Sequence, residues 1–266
     1  MKIAFWSNVR HQSGVTSSVA VISILWAELY AEEIAVTSNH ICNGSLVKRL
    51  HGGSEQEEKA ARRAYCYTLG EPEYFRMLYG GKTKTALWLN DSLYYFPMEG
   101  EGGELFYDTG LKGIEKQMGD REYLIIDTAC GCGSSSQRIL QEAEITVVLL
   151  PPEREGVDAF FKSETPLREN SFFILGNYRS VPPYCPSNLA QKYKVPRERI
   201  GQIPYNYGFE QAMREGSTIA FIAGNLNCSK RSKEYHFIRC AKKTVESLRK
   251  YAISRRDELC ADYVKV

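Results

Sequence analysis

Several things are scarce in this chain of 266 residues. Its eight cysteines form no CxxC pair and no regular spacing, which speaks against a zinc ribbon or a secreted disulfide framework and for reduced, buried cytoplasmic thiols. No apolar run reaches the roughly 20 residues that cross a bilayer. The longest, Val15 to Ala31, contains serines and a glutamate and reads as a core helix. The first residues lack a basic region followed by a cleavage site, so secretion is not expected. His11, His40, His51 and His236 show no ligand spacing, and no Ser/His/Asp or Cys/His constellation stands out. The tyrosines and phenylalanines read as packing residues, without a pattern for stacking on RNA.

What is present suits an ordinary globule: 43% hydrophobic and 25% charged residues, enough for one large α/β domain or two small ones. The net charge of +2 hides an asymmetry. From Ser229 to Val266 there are eleven Lys/Arg against five Asp/Glu, a balance of +6 on a body that carries −4. Residues 229–266 therefore read as a basic helical extension of a domain spanning 1–228. Such a segment admits an anionic partner, whether lipid or nucleic acid. Within it Ile238, Ala241, Val245, Leu248 and Ala252 form a helical stripe ringed by Lys242, Lys243, Arg249 and Lys250. That pattern predicts a helix docked on its own domain, with a membrane-surface or partner helix as the alternative.

Short apolar runs without clean alternation recur between helical stretches: Lys2 to Trp6, Ile34 to Ser38, Leu93 to Met98, Tyr123 to Asp127, Ile145 to Leu150, Phe172 to Asn177 and Arg199 to Pro204. Helices are expected over Val15 to Tyr30, Glu55 to Tyr67, Glu71 to Leu78, part of Glu104 to Met118, and Ser134 to Ala143. This order predicts an α/β fold with a doubly wound, mostly parallel sheet covered on both faces. Ligands of such sheets bind beyond the carboxyl ends of the strands, where Asn8 to Thr16, Asn39, Asp127 and Asn177 all fall.

The first strand runs into a polar loop with one glycine, Gly14, and then a buried helix. In this geometry loop amides and a helix N-terminus can hold phosphate. The usual loop ends Gly-Lys-Ser/Thr, and here Val15 takes the lysine position. Thr16 can offer a hydroxyl to a metal, or it can cap the helix with Ser17 and Ser18. Arg10 can contact phosphate as a bidentate donor, or stay solvated. Asp127, at the tip of the clearest buried strand and followed by Gly131 and Gly133, can hold Mg²⁺; its other reading is a cap for the next helix. Cys130 and Cys132 could join a metal or iron–sulfur site, but two small residues in a tight loop is the simpler reading.

Taken in order, these residues resemble the ParA/MinD family of deviant Walker-type ATPases over residues 1 to about 225. Tyr123 to Ala129 is similar to the family's Walker B and switch II segment, and Ala143 to Glu153 to the strand that follows. Ile174-Leu175-Gly176-Asn177 resembles the strand whose asparagine contacts adenine. Ile203-Pro204-Tyr205-Asn206 with Gln211-Ala212 and Glu215-Gly216 resembles its "IP-d…eA…G" signature, and Tyr95 to Met98 its short "vlPa" strand. The resemblance implies ATP or ADP with Mg²⁺, nucleotide contacts at Arg10, Gly14, Val15, Thr16, Ser17, Asn177 and Pro204, and metal contacts at Thr16 and Asp127. It also implies a homodimer, protein partners in a localisation or assembly system, and a cytoplasmic protein that can sit at the inner face of the membrane.

The departures are equally specific. Of the loop KGGxGKT only Gly14 and Thr16 are kept; Arg10 falls at the signature lysine and Val15 at the Walker lysine. Asn39 occupies the place of the acid that positions the attacking water. Weak or absent ATP hydrolysis is expected. Degenerate loops also mark the TadZ/CpaE-like branch of Flp/Tad pilus systems. The alternative is a pseudo-ATPase scaffold that no longer binds nucleotide.

Overall fold

The computed structural model describes residues 1–9, 13–39, 46–51, 87–90, 92–95, 111, 114–115, 118, 123–131, 133–151, 153–162, 170–178 and 184–263. The elements run β1 (Lys2–Trp6), α1 (Val15–Tyr30), β2 (Ile34–Ser38), α2 (Leu46–His51), β3 (Leu87–Asn90), β4 (Leu93–Tyr95), β5 (Tyr123–Asp127), α3 (Ser134–Glu142) and β6 (Ile145–Leu150). There follow α4 (Arg154–Lys162), β7 (Ser171–Tyr178), α5 (Pro186–Tyr193), a 3₁₀ turn (Arg197–Arg199), β8 (Ile200–Pro204), α6 (Tyr207–Glu215), α7 (Thr218–Asn225) and α8 (Tyr235–Tyr263). The helices expected at Glu55 to Tyr67 and Glu71 to Leu78 lie outside the described residues.

The strands form one sheet in the order β3-β4-β2-β5-β1-β6-β7-β8. Seven of them are parallel, and β3 pairs antiparallel with β4 at the edge. The chain moves from β1 toward one edge, returns at β5 beside β1, and then continues on the other side through β6, β7 and β8. The carboxyl end of β1 is therefore the switch point at which open α/β sheets bind ligands.

Both faces of the sheet are packed, which explains the unbroken apolar runs. Ile3, Phe5, Tyr123, Ile125, Ile145, Val147 and Leu149 point into the main core. Their alternate neighbours Ala4, Leu124 and Ile126 enter a second core with Ile139, and Trp6, Val148 and Leu150 a third with Val157 and Phe160. Helix α1 is buried along most of its length, from Val15 through Ala27, between the sheet and α8.

The stripe Ile238, Ala241, Val245, Leu248 and Ala252 on α8 is buried in the same main core. The helix is docked on its own domain, and its apolar face is not available to a membrane. Arg249 anchors it: Nε donates to both carboxylate oxygens of Glu32 at 3.0 Å, while the Trp26 indole donates to Glu32 at 2.6 Å. No helix among the described residues is long and apolar enough to cross a membrane.

Candidate functional site

At the carboxyl rim, the loop after β1 turns into α1 through Gly14 in the left-handed region at φ 68°. The first turn of α1 has no side-chain cap and no acidic residue, so its forward-facing amides and positive dipole end meet no carboxylate of their own turn. Ser13 and Val15 are buried, while Thr16 and Ser17 are half-buried. The loop lies against the end of β7. A Cβ added to Gly176 would stand 2.6 Å from the Ser13 carbonyl oxygen, and one on Gly14 would stand 3.5 Å from Cβ of Asn177. Only a glycine at position 176 permits this approach, a common meaning of glycine inside a strand.

Asn177 sits at φ 55° in an irregularity of the β7–β8 register between Gly176 and Tyr178, and it is exposed. Pro204 is buried at the end of β8, in register with Tyr178, whose carbonyl accepts from Tyr205 N at 2.9 Å. The ends of β7 and β8 are thus joined at the rim, with Gly14 packed against the first of them.

The loop after β5 is fastened on two sides. Asp127 is fully buried, in register with Phe5 of β1 and Ser38 of β2. Beyond it Thr128 N donates to Phe5 O at 3.0 Å, Gly131 N to Ser7 O at 3.2 Å, and the Trp6 indole to Gly131 O at 2.9 Å. On the other side the Asn39 Oδ1 accepts from Ala129 N at 2.6 Å. Its amide donates to Ser136 Oγ at 3.4 Å, and that hydroxyl donates to Ala129 O at 2.9 Å. This ring of three hydrogen bonds joins β2, the loop and the first turn of α3.

The structure brings together Gly14 and Asn177, and it sets Asn177 beside Pro204 through paired strand ends. Thr16 and Asp127 lie on neighbouring parts of the rim, on α1 and β5. Arg10 lies outside the described residues with His11 and Gln12, as does Cys132. Cys130 is half-buried, and none of the described cysteines is in a disulfide. Among the described residues no three His, Cys, Asp or Glu side chains are placed to hold a metal ion. Sequence reasoning placed Asn39 on the rim but missed its partners Ala129 and Ser136, which are about a hundred residues away in the chain. It placed Ser13 on the rim within Asn8 to Thr16 but missed its fit against Gly176, which is signalled only by the glycine preceding Asn177.

Among the described residues, a dense electrostatic cluster lies elsewhere, between α4 and α5. Hydrogen bonds from Tyr184, Tyr193 and Lys192 hold the Asp158 carboxyl well below the usual carboxylate range. Burial, with the hydrogen bond to Asp158, pushes the Tyr193 phenol up to about 12. Phe161 stacks on Tyr193 with ring centroids 4.0 Å apart. Every polar member of this group is satisfied, so it reads as a brace between two helices.

No protein-family model matches the sequence, and no curated protein matches it. Solved structures do. The septum site-determining protein MinD of Pyrococcus horikoshii, complexed with Mg-ADP, superposes with a TM-score of 0.66 at 15% identity, over 96% of this chain and 99% of that one. MinD in the MinC:MinD cell division complex of Aquifex aeolicus gives 0.62 at 14%, over 94% and 96%. A plasmid partition protein of Borrelia burgdorferi bound to AMPPNP gives 0.53 at 13%, over 94% and 98%. At such identities the likeness is one of fold: this chain has the ParA/MinD architecture.

Proposed function

We propose that this chain is a nucleotide-dependent switch of the ParA/MinD type that binds ATP or ADP with Mg²⁺ and hydrolyses ATP weakly or not at all. The observation that carries the reading is the meeting of the first loop with the end of β7 at Gly14 and Asn177, beside the acid-free N-terminus of α1. The residues fit the ligand. A left-handed glycine and open helix amides suit phosphate, and a hydroxyl at Thr16 with a carboxylate at Asp127 supplies the oxygen ligands that Mg²⁺ prefers. In this reading Arg10, Gly14, Val15, Thr16 and Ser17 contact phosphate through side chain or backbone, and Asn177 and Pro204 flank the base. Bound Mg²⁺ would neutralise phosphate charge.

Hydrolysis is a different matter. Val15 is apolar and buried, so it supplies no cation to the transferring phosphoryl group. Asn39 offers an amide, already engaged with Ala129 and Ser136, in place of a carboxylate. Both departures weaken transition-state stabilisation more than binding.

The same reading extends to a homodimer that recruits protein partners of a localisation or assembly system, such as partitioning machinery or an Flp/Tad pilus in the manner of TadZ/CpaE-like proteins. The neighbour from Aquifex aeolicus is a MinC:MinD cell division protein complex, which supports a protein partner. Residues 229–266 would serve as a basic extension. Since the apolar stripe of α8 is buried, contact with anionic lipid or nucleic acid would use its outer cationic face, at a cytoplasmic site or the inner face of the membrane.

A second reading, a scaffold without nucleotide, is favoured by one observation: the loop after β5 is tied down by the chain's own Asn39, Ser136, Ser7 and Trp6. Melting with and without ATP–Mg²⁺ separates the two. A ligand at a hundred times its dissociation constant adds about 2.7 kcal/mol of stability. A raised melting temperature supports the switch, and an unchanged one leaves the scaffold.

A further inference from the structure

We propose that the open cleft between β8, α8 and the start of α5 is a second binding site, built for the phosphate of a small organic phosphomonoester. It contains none of the rim residues described above, and so stands or falls independently of the nucleotide reading. Its volume is about 350 Å³, at the lower end of the range of small-molecule sites and too small for a polymer.

The charge of its lining is one-sided. Arg197, Arg239 and Lys243 line it, and no carboxylate does. In a chain whose total charge is only +2, three exposed cations gather around one concavity, and Glu246, which feels the charge of Lys243, lies outside its lining. None of the three forms an ion pair among the described residues. Arg197 spends one Nη1 donor on the Ile200 carbonyl, at 2.9 Å, which fixes the guanidinium at the mouth of the cavity and leaves the rest of its donor fork for a ligand.

Gln202, Thr244 and Cys240 in the lining are engaged with one another. β8 is the edge strand of the sheet. The Thr244 hydroxyl accepts from Gln202 N at 2.9 Å and donates to Gln202 O at 3.0 Å, closing that edge to strand addition. The Gln202 amide meets the Cys240 sulfur at 3.5 Å. What remains is a cationic mouth over walls that include Pro186, Ile200 and Cys240. A phosphomonoester suits this pairing: its nearly doubled negative charge matches several cations where a single carboxylate would not, its oxygens fit the arginine fork, and its organic part lies against the walls.

The test uses the full chain and the imidazole of His236, which lines the cavity, as an NMR reporter. Titrating ribose 5-phosphate should move the His236 signals saturably, and ribose alone should not. Arg197→Gln and Arg239→Gln, both at exposed positions, should each weaken binding at least tenfold with unchanged melting. Ser247→Trp keeps every cation but fills the cavity, and should abolish the response. The proposal is overturned if His236 does not respond at millimolar ligand, or if sulfate moves it as far as ribose 5-phosphate does. It is equally overturned if short duplex DNA binds and Ser247→Trp leaves that binding intact, which would mark an open cationic surface in place of a pocket.

Discussion

Two loops meet at the carboxyl rim, and they are held by opposite means. The loop after β5 is netted by side chains: Asn39, Ser136 and Trp6 tie residues 129 and 131 to β1, β2 and α3. The loop into α1 is shaped where it is described by glycine geometry, with Gly14 left-handed and Gly176 leaving room for the Ser13 carbonyl. The rim thus joins one loop held by backbone fit to the end of β7 with another held by side-chain hydrogen bonds, which under the proposed switch reading is the loop that would have to move. The proposed reading, binding of nucleotide with little turnover, expects that contrast.

Substitutions can break this contrast in order of size. Gly176→Ala drives a Cβ to 2.6 Å from a backbone oxygen and should destabilise by about 3 kcal/mol in urea unfolding, as overpacking against backbone does. It should also remove any nucleotide-induced rise in melting temperature. Glu32→Ala, remote from both loops, strands Arg249 and the Trp26 indole and should cost about 2 kcal/mol. If the rim is independent of α8 anchorage, nucleotide affinity stays unchanged. Asn39→Ala leaves Ala129 N without its acceptor and should cost about 1.5 kcal/mol, with faster amide exchange over residues 128–136 as the specific readout. Uniform exchange across the chain would show that the net is not local. Gly14→Ala keeps ordinary contact with Asn177 but must hold φ 68°, at about 1 kcal/mol.

The pH dependence sharpens the same division. Burial works against the charge of Glu32, but hydrogen bonds from Arg249 and Trp26 outweigh it, so its carboxyl lies below its ordinary value of 4.5. The stability it contributes is therefore complete above that value and is lost as pH falls through the depressed one. Acid unfolding of the Glu32→Gln protein should start from lower stability and fall less steeply below pH 4.5 than that of the parent chain.

Much of the fold was legible because its strands are continuous apolar runs. Tyr123–Asp127 and Ile145–Leu150 lie where their patterns end, since a buried parallel strand tolerates polar residues only at its tips. Strand β3 was not legible: four residues on a sheet edge are defined only by pairing with Leu93–Tyr95. Phe172 to Asn177 extends to Tyr178 because Asn177 occupies an irregular, left-handed position that periodicity cannot reveal. At the rim, Asp127 and Asn177 were readable as residues at strand ends and Gly14 as the residue before a buried helix. The Asn39–Ser136 ring and the cavity beneath α8 were not, because each depends on contacts between residues scattered across the chain.

Calorimetric titration of the full chain with ATP and ADP in Mg²⁺, repeated on Gly176→Ala, tests the central claim most directly. A nucleotide-holding rim without the usual lysine predicts saturable heat at one site per chain, abolished by the substitution, with little phosphate released from ATP. Absence of heat at millimolar nucleotide, or binding that Gly176→Ala leaves untouched, would contradict it.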